Sequence, residues 1–348
     1  MLTILRLAIG IGLLAYLAKS GIIDLRALSK LFTEWPITLA AIVLLLFDIA
    51  LMSVRLSWLF KPLGLNLSVA KSMKLTLVGF FFTTFLPGAA GGDLAKLFYA
   101  ARENSGRRTE IVTIVMFDRA IGLFSLLILP LFFVPFFLPL IRSVPALRIL
   151  LLAVALAAAA LFAGFLICLF NPEFVNRVVR TLLRFLPVKN IPERIFRTVA
   201  GYRHSPRVLL SALGLALVAN LSVVVVTGLA VLALNPASLS MKMCLVIPIG
   251  HIVNSLPITP GGLGVGEAAF GALFRLTGIR GGAEAMLCWR VWNAMVGLIG
   301  LGFYLRGIGR VVYGGENPAG QPQSETSNPE SLPLAEFDKR QISVPSDQ

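Results

Sequence analysis

Residues 238–267 read SLSMKMCLVIPIGHIVNSLPITPGGLGVGE, and residues 71–93 read KSMKLTLVGFFFTTFLPGAAGGD. Each stretch contains Ser-Met-Lys near its start, runs through apolar residues, reaches Leu-Pro and, after three intervening residues, Gly-Gly. Pro87 stands to Gly91-Gly92 as Pro257 stands to Gly261-Gly262, 170 residues further on. The apolar parts, Leu75–Leu86 and Cys244–Leu256, are about 12 residues each. A helix needs about 20 apolar residues to cross ~30 Å of hydrocarbon, so neither crosses alone. Each stops at Pro and Gly and then resumes, the pattern of a re-entrant hairpin or broken helix.

Around these stretches lie longer apolar runs: Thr3–Ala18, Pro36–Leu59, Ile111–Leu129, Leu147–Phe170, Val208–Leu234 and Ala283–Tyr304. The first is read as a retained helix, because no small-x-small cleavage site follows it. The composition agrees: 57% of the 348 residues are hydrophobic and 14% charged. Mean hydropathy is +0.85. Soluble domains carry roughly 25% charged residues, and disorder needs low hydrophobicity, so both classes are excluded for most of the chain. The expected fold is an all-α polytopic membrane protein with about six full spans and two broken hairpins.

Lys and Arg number 31 against 17 Asp and Glu, a formal net charge of +14. Basic loops held inside by the positive-inside rule explain this better than nucleic-acid binding, and no nucleic acid is expected as a partner. The loop 171–207 carries Arg177, Arg180, Arg184, Lys189, Arg194, Arg197, Arg203 and Arg207 against Glu173 and Glu193, which places it in the cytoplasm. Phe174, Val178, Leu182 and Leu186 recur within it at helical spacing, with arginines on the other face, as in an amphipathic interfacial helix. Counting outward puts both termini in the cytoplasm. From residue 313 the chain turns to Gly, Pro, Ser, Gln and acids and reads as a disordered tail, 313–348. Three cysteines without a CxxC, and two histidines, give no disulfide framework, metal site or cofactor.

The duplication extends beyond the hairpins. Asp48 lies in one upstream span and Asn220 in the other, while Arg119 and Arg290 each sit early in the span that follows. The membrane part, 1–312, therefore divides into halves at about 36–141 and 208–306, joined by 171–207. With the orientation above, the first hairpin enters from the cytoplasm and the second from outside, an inverted repeat whose breaks meet near mid-membrane.

A charge at the bilayer centre costs ~2.5–3.5 kcal/mol on the insertion scale, so buried polar groups there are candidates for function. The set is Asp48, Arg55, Asp93, Asp118, Arg119, Glu267 and Arg290, with His251 and Asn254 on the second hairpin. Glycine permits the turns at the breaks. Helix N-termini near Asp93 and Gly264–Glu267 offer N–H groups to an anion. With Arg119 and Arg290 they form a candidate phosphate site. Blander roles stand beside this one. Asp93 can cap its own half-helix. Arg119–Asp93 and Arg290–Glu267 can be structural ion pairs, Asp48 and Arg55 interhelical glue, and His251 a hydrogen-bonding core residue.

LPGAAGGDLAKLFYA at 86–100, MFDRAIGL at 116–123 and LPITPGGLGVGEAAF at 256–270 together resemble the flippase-like membrane domain of lysylphosphatidylglycerol synthases. The same domain occurs in stand-alone bacterial and archaeal membrane proteins. The resemblance covers roughly 1–312 and implies a plasma-membrane protein that translocates a lipid or helps to. It maps onto Gly91, Gly92, Asp93, Asp118, Arg119, Pro257, Gly261, Gly262, Gly264 and Glu267. The soluble aminoacyl-transfer domain of the synthases has no counterpart here, so lysyl transfer is not expected.

The expected function is a flippase-like transporter of an anionic lipid headgroup, carried on a phospholipid or a polyprenyl phosphate. Two other readings stay open. One is a membrane enzyme using Asp93, Asp118 or Glu267 as base. The other is a non-catalytic partner of an enzyme of envelope-lipid biosynthesis.

Overall fold

The computed structural model describes residues 29–85, 107–170, 198–199, 201–256 and 258–305. The first apolar run, the first Gly-Gly break, most of the basic loop and the polar tail lie outside them. Among the described residues every regular element is a helix and none is a strand. The helices are α1 (Lys30–Thr33), α2 (Trp35–Phe60), α3 (Val69–Phe85), α4 (Arg108–Phe133), α5 (Leu138–Ser143), α6 (Pro145–Phe170), α7 (Pro206–Leu234), α8 (Met243–Asn254), α9 (Val265–Leu276) and α10 (Gly282–Leu305). Five helical stretches, built on α2, α4–α5, α6, α7 and α10, are long and apolar enough to cross a membrane. The chain is a multi-pass all-α membrane protein.

Local sequence sets where these helices begin and end. Pro36 and Pro206 stand in the first turns of α2 and α7, where a missing N–H costs nothing. Gly64, at φ +65°, closes the turn that ends α2. Pro130 lies inside α4, and Pro135 and Pro139 follow in the turn and in α5, so this span ends in a series of short pieces. The α3 helix begins at Val69, six residues before the expected Leu75. Lys71 and Lys74 belong to its first turns, since long cationic side chains can reach polar surroundings from a helix end.

The centre of the bundle is α7, which packs against α2, α4 and α10. Its buried positions include Ala212, Ala216, Ala219, Ser222, Ala230 and Ala233. Lipid tails are as apolar as leucine, so tight packing of small side chains is what draws such helices together. Asn220 on α7 donates to Ser125 Oγ at 2.5 Å on α4, and Trp292 on α10 donates to Thr38 Oγ1 at 3.2 Å on α2. The α6 helix lies at the edge and leaves Ile149, Leu152 and Leu156 exposed, as a lipid-facing helix should.

Three contacts give the helix directions. Lys30, just before α2, donates to Leu234 O at the end of α7 at 2.8 Å. Tyr202, just before α7, donates to Leu59 O at the end of α2 at 2.6 Å. The α2 and α7 helices are therefore antiparallel. Lys242, at the start of α8, donates to Thr277 O, just past the end of α9, at 3.1 Å. The free ends of α8 and α9 thus lie together, and the pair forms a hairpin. Each helix has 12 residues, or about 18 Å of rise. The turn between them sits that far from the ends, short of a ~30 Å core.

The packing also exchanges across the chain. The α3 helix of the N-terminal part packs against α10, and α8 of the C-terminal part packs against α4. At Gly300 of α10 an added Cβ would run into the backbone of Leu77 on α3, so these two backbones touch. The expected Cys244–Leu256 run appears as α8, ending at Asn254.

Candidate functional site

The α8–α9 turn is built on three glycines with positive φ: Gly261 at 59°, Gly262 at 70° and Gly264 at 77°. L side chains avoid this region, so the sequence GGLG is what lets the chain reverse in so few residues. An added Cβ at Gly262 would strike the Asn254 side chain and carbonyl, which forbids larger residues on packing grounds too.

One arginine holds the turn. Arg290, on α10, donates through Nε to Glu267 Oε1 at 2.5 Å. Its Nη1 donates to Gly261 O at 2.6 Å. Its Nη2 donates to Gly262 O at 2.7 Å and Asn254 Oδ1 at 2.8 Å. Glu267 has 0% exposure and accepts the Gly264 N–H at 2.7 Å through Oε2, so it also caps the start of α9. The logic is one of unsatisfied backbone. A broken helix leaves carbonyls on one side and N–H groups on the other, costly in hydrocarbon. Arg290 takes the carbonyls, Glu267 takes the N–H, and their charges neutralise each other.

Of the sequence candidates, the structure thus gathers Asn254, Gly261, Gly262, Gly264, Glu267 and Arg290 into one cluster. Arg290 is spent there on the protein itself, the ion-pair alternative the sequence allowed. His251 sits one turn before Asn254 on α8, buried, with its ring centroid 5.1 Å from Phe270 and 4.9 Å from Trp289. Its Nε2 is 3.4 Å from Thr227 Oγ1, so it ties the hairpin to α7. Gly91, Gly92, Asp93 and Pro257 lie outside the described residues.

Asp118 and Arg119, adjacent on α4, point apart. Asp118 is buried and its Oδ1 accepts from Arg55 Nε on α2 at 2.7 Å. Arg119 is exposed. The Asp118 pair lies with Tyr202 in a second cluster near the end of α2. There the Tyr202 ring stacks on Phe117 at 4.7 Å between centroids. Burial, and then the charge of Asp118, push the Tyr202 phenol above its ordinary pKa, which keeps it a donor to Leu59 O. The Arg55 guanidinium lies over Gly122 of α4.

One partner and one residue are not legible in the sequence. Arg55 joins two helices, as expected of interhelical glue, but its partner is Asp118 on α4. Gly266 was passed over, yet a Cβ there would meet Asn254 Oδ1 at 2.5 Å and Arg290 Nη2 at 2.9 Å. The run of three glycines at 262, 264 and 266 carried that signal.

The comparisons with known proteins agree with this picture. The family model described as lysylphosphatidylglycerol synthase TM region matches residues 3–300. That match takes in all three stretches that carried the resemblance, and it is the membrane region, not an aminoacyl-transfer domain, that is found. No curated protein and no solved structure matches the chain. A multi-pass bundle with a braced helical hairpin, matched over most of its length, belongs to the lysylphosphatidylglycerol synthase TM region family, whose membrane part is associated with lipid handling.

Proposed function

We propose that this protein is a flippase-like transporter that moves an anionic lipid headgroup across the cytoplasmic membrane, with both termini in the cytoplasm. The observation that carries the reading is the α8–α9 hairpin: an interrupted helix held within membrane depth by a neutralised Arg290–Glu267 pair. Irregular backbone at that depth is tolerated where it lines a path or is buried in protein, and transporters place their sites at such breaks. The antiparallel α2 and α7, and the crossed packing of α3 on α10 and α8 on α4, support two inverted halves, about 36–141 and 208–306.

In this reading the two arginines differ in role. Arg290 braces the break, and the exposed Arg119 on α4 is the cation offered to the headgroup phosphate. In sequence, Gly91 and Gly92 repeat the Gly261-Gly262 pair, and Asp93 is the acid beside them. Asp118 fixes α4 through Arg55. Glu267 is the carboxylate available to a coupling proton if Arg290 is drawn away. Transport proceeds as one half rocks against the other.

The test is reconstitution into liposomes with a fluorescent anionic phospholipid, followed by quenching from one side. Headgroup movement in the wild type, lost in Arg119→Ala and reduced in Glu267→Gln with both variants folded, supports the proposal. Wild-type vesicles indistinguishable from empty ones overturn it. The saturation of Arg290 favours a second reading, in which the hairpin is a static scaffold and the chain is a partner of an envelope-lipid enzyme. Co-purification of such an enzyme from a chain inert in liposomes would favour it.

A further inference from the structure

Away from the hairpin, α4, α6 and α7 enclose a groove of about 700 Å³. Its walls are aromatic: Phe117 of α4 stacks on Phe165 of α6 at 5.4 Å, and Phe124 of α4 on Phe162 of α6 at 5.7 Å. Among the described residues that line it, every one but Arg207, in the first turn of α7, is apolar. From Arg207 the α7 wall runs inward to Leu213, about 9 Å at 1.5 Å per residue. Phe162 and Leu210, at 47% and 72% exposed, stand at the rim, so the groove opens sideways from the bundle.

All three helices are candidate spans, and what lies beside a span is lipid. Water gains nothing in a pocket with one polar group, whereas the volume lies within the ~300–1,000 Å³ of sites that hold small apolar ligands. Among the described lining residues, charge is confined to one end. Arg207 is joined at that end of the bundle by Arg203, whose guanidinium lies 5.8 Å from the Phe170 ring centroid. Glu110, the acid in the first turn of α4, is already held by Arg107. An apolar trench with Arg207 at its outer end complements a molecule with one hydrocarbon tail to bury and one negative group to leave at the membrane surface.

We infer that this groove is a docking site for an anionic bilayer phospholipid, with an acyl chain between α4 and α6 and its phosphate against Arg207. The site lies apart from the hairpin and does not depend on whether the lipid then crosses. In the transport reading it is where a lipid waits in the leaflet beside the start of α7.

The experiment measures occupancy and not movement, so its failure and a failure of transport are distinguishable. The full chain is reconstituted in vesicles of phosphatidylglycerol and phosphatidylcholine, each in turn carrying a photoreactive diazirine near the end of one acyl chain. After irradiation, the labelled peptides are mapped. The phosphatidylglycerol probe is expected to label residues 160–165 and 209–213 in preference to the exposed Ile149–Leu156 face of α6. Gly164→Phe, at a position where a Cβ meets nothing within 4 Å, fills the trench and should abolish that labelling in a folded chain. Arg207→Ala should leave the phosphatidylcholine signal unchanged and lower the phosphatidylglycerol signal about fivefold, the order expected for one basic residue at an anionic surface. Equal labelling by the two probes in the wild type, or labelling unmoved by Gly164→Phe, overturns the inference. So does near-complete disulfide formation between cysteines placed at 164 and 178, which would show that the chain's own 171–197 segment fills the groove.

Discussion

Arg290 and Arg55 both sit in ion pairs inside the bundle, but they do different work. Arg55 meets Asp118 and rests over Gly122, joining α2 to α4. Arg290 meets Glu267 and three further oxygens, and so replaces backbone partners that the break removes. Removing one member of a buried pair leaves an uncompensated charge, at about 3–5 kcal/mol, while replacing both by apolar residues is often neutral. Arg55→Met and Asp118→Leu should therefore each destabilise by about 3 kcal/mol, with the double variant close to wild type. Arg290→Met with Glu267→Leu should not recover, because the Gly261 and Gly262 carbonyls stay unmatched. Thermal unfolding in detergent compares the two cycles. Tyr202 gives a pH test. Its pKa is raised by burial and then by Asp118, so the unfolded chain ionises first, near pH ~10. Its contribution is present in full below that pH and falls as pH rises beyond it. Tyr202→Phe keeps the stack on Phe117, loses the bond to Leu59 O at a cost of about 1 kcal/mol, and should flatten the alkaline decline of the unfolding temperature.

At the scale of elements, the spans were legible because apolar runs of twenty residues admit only one structure in lipid. The helices α2, α4, α6, α7 and α10 start and stop within a few residues of the runs that announced them. The second break was legible too, since Pro257 and the glycines after it punctuate a run too short to cross. Which side chain pairs with which was not legible. Asp118 and Arg55 are 63 residues apart and meet only because α2 and α4 pack, a fact no local pattern carries. Nor did spacing show that Arg290 would be saturated, since its acceptors come from three different segments. The glycine turns supply the element's own prediction. Gly64→Ala meets open space and should cost only the ~1–2 kcal/mol of a left-handed backbone. Gly262→Ala adds a collision with Asn254 and should cost more, with loss of the hairpin. Unfolding temperatures of the two variants, side by side, check the difference.

For the whole molecule, the re-entrant hairpin decides the topology: α8 goes in, α9 comes back, and α10 crosses. The Lys242–Thr277 bond places both hairpin ends at one face, and the antiparallel α2 and α7 place Gly64 and His204 at the other. The most direct measurement is labelling with a membrane-impermeant thiol reagent in sealed vesicles. Single cysteines are placed at Ser238, Arg280, Gly64 and His204 in a chain whose own cysteines are replaced. Positions 238 and 280 are expected to react from one face, and 64 and 204 only from the opposite one. Reaction of 238 and 280 from opposite faces would make α8–α9 a through span and would contradict the re-entrant hairpin.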